Sequence, residues 1–143
     1  MTNQGAIHIS LLALLLLLIG AVIYNFFRQP ILVFSLLNIC QHEIHICNTE
    51  NPLMYFFVFC LPDALWYMSL LLVQTFFLKE KGWLNRLLVG IAVSLPFLWE
   101  AGQYFGCVSG TFDWFDIITY CLTLIIFLLC VRKNLLLLPC KQL

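Results

Sequence analysis

Four carboxylates and a carboxamide stand at the edges of strongly apolar segments, where an ionisable side chain is costly to place. They are Asp63, Glu100, Gln103, Asp113 and Asp116. Glu100 and Gln103 are three residues apart, hence on one face of any helix that runs through both. Asp113 and Asp116 share that spacing at the start of a later apolar run. For this second pair helix capping is an ordinary account, with Asp113 as N-cap and Asp116 in the first turn. Glu100 has no such account. It has no Lys or Arg near it in sequence, and Gln103, Thr111 or the amides near Asp113 are its available donors. An acid so placed is a functional candidate by default. Like charges held close cannot all ionise without compensation. Compensation could come from protonation, from Arg28 or the loop histidines, from a divalent cation held by oxygens, or from a cationic ligand. Asp63, Glu100, Gln103, Thr111, Asp113 and Asp116 are therefore the candidate ligand-binding set, with no cofactor expected beyond that possible divalent cation.

A second cluster, Cys40-Gln41-His42-Glu43-Ile44-His45-Ile46-Cys47, holds two cysteines and two histidines within eight residues. These are zinc's usual ligand types, yet the spacing follows no familiar zinc motif. A Cys40–Cys47 disulfide in an oxidising compartment is the simpler expectation, with free thiols the other alternative. Cys60 and Cys107 fall near the same face and leave other pairings open. Cys121 and Cys130 read as small packing residues. No Ser/His or Cys/His nucleophile pattern stands out.

The elements that must carry these residues follow from composition. Of 143 residues, 63% are hydrophobic and 10% charged, against about 45–50% and about 25% in ordinary globular chains. The formal net charge is zero, so nothing points to nucleic acid. A water-soluble enzyme and a disordered tail are equally poor readings. The chain predicts an all-α polytopic membrane protein, a single domain of four transmembrane helices. The first span is expected over residues 7–27, close to the ~20 residues needed to cross ~30 Å of hydrocarbon. No basic residue precedes Ile7, and the run ends in Tyr24-Asn25-Phe26-Phe27-Arg28, which argues for a retained helix over a cleaved signal peptide. The second span is expected over 62–78, opening on Pro62-Asp63, with Leu53–Leu61 as an apolar lead-in at the membrane surface. The third covers 83–99 between Trp83 and Trp99, with Pro96 kinking its last turn. The fourth covers 113–131 and stops at Arg132-Lys133. The outer loop 28–61 carries a short apolar stretch, Ile31–Ile39, suited to lying in the interface.

Charge then orients the bundle. Lys79, Lys81, Arg86, Arg132, Lys133 and Lys141 fall on one side with only Glu80, while Arg28 is alone on the other with six acids, a net of +5 against −5. The positive-inside bias places both termini in the cytoplasm and the protein in the cytoplasmic membrane.

Three stretches carry a family likeness: Pro62-Asp63-Ala64-Leu65-Trp66-Tyr67, Trp99-Glu100-Ala101-Gly102-Gln103, and Gly110-Thr111-Phe112-Asp113-Trp114-Phe115-Asp116. In this order they resemble the VanZ-like membrane proteins over about residues 60–130. The family usually has Lys and His soon after the first Asp, and Arg after the Gly. This chain has Ala64, Trp66 and Thr111 there. The resemblance implies a bacterial envelope protein associated with resistance to lipoglycopeptides such as teicoplanin. The leading expectation is a protein that binds or modulates a lipid-linked or lipoglycopeptide-type ligand at the outer leaflet. The alternatives are a helix-bundle subunit of a membrane complex, and an intramembrane hydrolase or transferase acting on lipid headgroups with Glu100 or Asp116 as base. Membrane lipids and a partner membrane protein are the expected partners. A deep polar cleft between the second and fourth spans favours binding or catalysis, and a filled one favours the structural role.

Overall fold

The computed structural model describes residues 3–27, 51–77 and 82–133, and these are helical but for the connectors. Four helices are long and apolar enough to cross a membrane. They are α1 (Asn3–Phe27), α2 (Pro52–Phe77), α3 (Trp83–Tyr104) and α4 (Trp114–Arg132). The expected four-helix membrane architecture is therefore present. Cys40, Cys47, His42, His45 and the stretch Ile31–Ile39 lie outside the described residues.

α2 is the central helix, packed along α1 on one side and against α4 and α3 on the others. Lipid tails are as apolar as leucine, so helices in a bilayer associate through close packing and hydrogen bonds. α1 shows how. Ile9, Ala13, Gly20 and Tyr24 form its buried stripe, while Leu11, Leu14, Leu15, Leu18 and Val22 face outward. Gly20 lies so close to the Trp66 indole that a Cβ there would overlap it. At Ala13 the backbone carbonyl accepts a 2.8 Å hydrogen bond from the buried Ser69 hydroxyl of α2. Below this seam Ile9, Ala13, Tyr67, Leu71, Leu72 and Phe127 join α1, α2 and α4 in one core.

α2 departs from the sequence expectation. It begins at Pro52 rather than Pro62, and Leu53–Leu61 is part of the helix instead of a surface lead-in. Asn51 is the N-cap, its side chain accepting from Leu53 N at 3.0 Å, and Pro52 occupies the first turn, where a missing N–H costs nothing. The chain passes Pro62 through a wide π turn over Phe56–Cys60, closed by the Leu61 amide donating to the Phe56 carbonyl. That widening makes room for a proline ring that would otherwise strike the carbonyl one turn back. Asp63 is thus an interior residue of a long helix, with no helix dipole to complement.

α3 continues beyond Trp99 to Tyr104 and carries Pro96 within it. Near this proline the Tyr67 hydroxyl donates to the Val93 carbonyl at 2.9 Å, anchoring α3 to α2. The rings of Tyr67, Phe97 and Tyr120 meet edge to face, with centroids 5.6–6.2 Å apart, and tie α2, α3 and α4 together. The connector from α3 to α4 turns on Gly106 and Gly110, both in the left-handed region at φ +69° and +133°. At Gly110 a side chain would also collide with the Gln103 amide. Exposed Trp83 lies at one end of the bundle and exposed Tyr104, Phe105 and Trp114 at the other, as interfacial aromatics do.

Candidate functional site

The end of the bundle opposite Trp83 contains a cavity of about 430 Å³. All six residues singled out from the sequence line it: Asp63 from α2, Glu100 and Gln103 from α3, Thr111 from the connector, and Asp113 and Asp116 from the start of α4. Three separate stretches of chain therefore converge on one space.

Glu100 is the most deeply placed of the acids, with 3% of its surface exposed. α3 runs through both Glu100 and Gln103, so the three-residue spacing puts them on one face. The Gln103 amide is oriented by its neighbours. Its nitrogen donates to Glu100 Oε2 at 3.2 Å and to the Thr111 carbonyl at 3.1 Å, and its oxygen accepts from Trp99 Nε1 at 3.1 Å. The Asp113 amide, one of the four unpaired at the start of α4, lies 3.4 Å from the same Glu100 oxygen. Glu100 is thus held by Gln103 and by a helix N-terminus, as its sequence neighbours suggested.

Asp113 acts as the N-cap of α4, with Oδ1 accepting from Phe115 N at 2.9 Å. Its other oxygen, Oδ2, accepts from the Tyr55 hydroxyl of α2. Asp116 follows in the first turn of α4. Asp63 accepts from the Tyr24 hydroxyl of α1, and the Tyr24 ring packs at a tilt against Trp66 with centroids 4.8 Å apart.

Sequence reasoning did not single out Tyr24, Tyr55, Phe59 or Tyr120, which complete the wall with Trp99. In an apolar run an aromatic residue reads as lipid-facing or as core, and only the packing of α1 and α2 shows which ones turn inward. A faint signal existed at Tyr24, a hydroxyl-bearing break in the α1 apolar block. The early start of α2 is what brings Tyr55 and Phe59 to the cavity.

The electrostatics are one-sided. Among the described residues the basic side chains Arg86, Arg132 and Lys133 sit near the start of α3 and the end of α4. All four described carboxylates lie at the opposite end, around the cavity. Among the described residues, no three or more His, Cys, Asp or Glu are grouped closely enough to hold a metal ion. The acids are spread around the wall, each approached by a hydroxyl or amide or by its own helix start. Cys60, Cys107, Cys121 and Cys130 are free thiols, and of these Cys60 is buried.

A carboxylate ring of this kind accepts hydrogen bonds and favours positive charge. It disfavours a phosphate or another carboxylate. No protein-family model, no curated protein and no solved structure matches this chain.

Proposed function

We propose that this chain is a VanZ-like protein of the bacterial cytoplasmic membrane. Its carboxylate-lined cavity receives the donor-rich or ammonium-bearing head of a lipid-linked or lipoglycopeptide-type ligand at the outer leaflet. One observation carries the reading: Asp63, Glu100, Gln103, Thr111, Asp113 and Asp116, drawn from three separate stretches of chain, line a single open space. A bundle built only as scaffold would gain from filling that space with apolar side chains, since unfilled volume costs stability. An acid as buried as Glu100 beside a cavity is tolerated where a ligand or solvent uses it.

The orientation belongs to the same proposal. Arg86, Arg132 and Lys133 at the far end support a cytoplasmic location for that end and both termini, with the cavity facing the outer leaflet.

The test pairs susceptibility of expressing cells to a lipoglycopeptide with size-exclusion behaviour of the purified protein. Glu100→Gln keeps the shape and one acceptor oxygen, which can still take the bonds from Gln103 and the Asp113 amide, and removes the charge. Loss of the protective phenotype in a monodisperse Glu100→Gln protein supports the reading. A retained phenotype leaves Glu100 a packing residue and rejects the proposal.

A further inference from the structure

A second, apolar cavity of about 240 Å³ opens beside the polar one, between α2 and α3. Its walls are Trp66, Tyr67 and Leu70 of α2 with Leu95 and Pro96 of α3. Asp63, Trp99 and Tyr120 line both cavities, so the two adjoin. Leu70 lies about two turns beyond Asp63 along α2, and Leu95 more than one turn before Glu100 along α3, by helix rise. The groove therefore leads from the carboxylates toward the middle of the bundle, into the depth of the hydrocarbon. Leu95 is 50% exposed, so the groove is open on its outer side.

From this arrangement we infer that the ligand is a single amphiphile entering sideways from the bilayer, its hydrocarbon chain lying in the α2–α3 groove while its head occupies the carboxylate cavity. The inference rests on the proposed head-binding role and adds the chain and the route. A polar cavity with an apolar extension running down the membrane normal matches a molecule with one polar end. A water-soluble ligand would leave the groove unused. Pro96 forms part of the groove wall, and Tyr120, which lines both cavities, stands where head and chain would meet.

Mid-chain brominated dodecylamine and its carboxylic-acid counterpart test this in nanodiscs of zwitterionic lipid. Bromine quenches indole at contact, so the exposed Trp83, Trp99 and Trp114 are replaced by Phe, leaving the half-buried Trp66 at the groove as the reporter. Both probes are scored by mole fraction in the membrane, which removes simple partitioning. Half-quenching is expected at about tenfold lower mole fraction for the amine than for the acid, the factor that about 1.4 kcal/mol of head recognition gives. Leu95→Phe, a filling substitution at a half-exposed position, should abolish that advantage, as should Glu100→Gln. If the advantage survives both Leu95→Phe and Leu70→Phe, the chain lies elsewhere and the inference fails while head binding stands. If amine and acid quench alike and Glu100→Gln changes nothing, the head-binding role fails as well.

Discussion

Tyr24 of α1 donates its hydroxyl to Asp63 of α2, so the first helix is a structural part of the carboxylate cavity. The bond crosses 39 residues of sequence and closes the side of the cavity that α3 and α4 do not reach. The Trp66 ring packs against the tyrosine at a tilt of 42°. Tyr24→Phe keeps that ring contact and deletes one donor to a carboxylate. Hydrogen bonds to charged groups contribute about 1.5–3 kcal/mol. Thermal unfolding in detergent should show a clear loss of stability, and an unchanged midpoint would mean that Asp63 finds an equivalent donor.

The α1–α2 seam gives a second prediction. A methyl group at Gly20 meets the Trp66 indole, whereas one at Gly90 of α3 meets nothing. Gly20→Ala should destabilise the bundle by roughly 1–3 kcal/mol through overpacking, and Gly90→Ala should be neutral or stabilising by up to about 1 kcal/mol. The Trp66 Nε1 is buried without a hydrogen-bond partner, so Trp66→Phe gives up no bond while freeing space. The double variant Gly20→Ala/Trp66→Phe should therefore recover part of the loss, giving a favourable coupling in a double-mutant cycle. Strict additivity would show that the clash is relieved by a shift of α1 instead.

Orientation is checked with thiols. Cys107 lies exposed in the α3–α4 connector at the cavity end. A membrane-impermeant maleimide applied to intact cells is expected to label Cys107 and spare Cys140. Labelling of Cys140 alone would invert the proposed topology.

What could be read from the sequence divides along physical lines. The four spans were legible because hydropathy over some twenty residues is a strong signal. Asp113 as a cap was legible because capping is local, set by a side chain and amides two residues away. The start of α2 was misplaced because two stretches carry the same signal. Asn51-Pro52 and Pro62-Asp63 both look like helix openings, and only the π turn over Phe56–Cys60 lets one helix contain the second. The four acids and Gln103 stood out because such side chains are rare in this chain, and Thr111 came with them as a donor available to Glu100. The aromatic half of the wall did not, since no spacing rule says that Tyr24 turns toward Asp63 or Tyr55 toward Asp113. Those contacts are consequences of tertiary packing across separate helices.

Asp113 offers the sharpest separation of structure from function, because its two oxygens do different work. Oδ1 caps α4 through Phe115 N, and Oδ2 receives the Tyr55 hydroxyl from α2. Asparagine is as good an N-cap as aspartate. In Asp113→Asn the carbonyl oxygen can keep the cap, and the Tyr55 hydroxyl can reorient to accept from the new amide. The charge at the cavity wall is lost. Stability should then stay within about 0.5 kcal/mol of the parent, as for substitutions that spare the cap. Asp113→Ala removes the cap and leaves the Tyr55 hydroxyl without its acceptor. It should cost at least about 1–2 kcal/mol, the usual loss on removing an N-cap. Tyr55→Phe separates the contributions, since it deletes only the bond between α2 and α4. If the cavity uses its charge to hold a cationic head, amine binding should fall in Asp113→Asn despite an unchanged unfolding midpoint. Tyr55→Phe should retain binding while losing stability. Unaltered amine binding in a folded Asp113→Asn protein would remove Asp113 from the binding set and leave it as the cap of α4 alone.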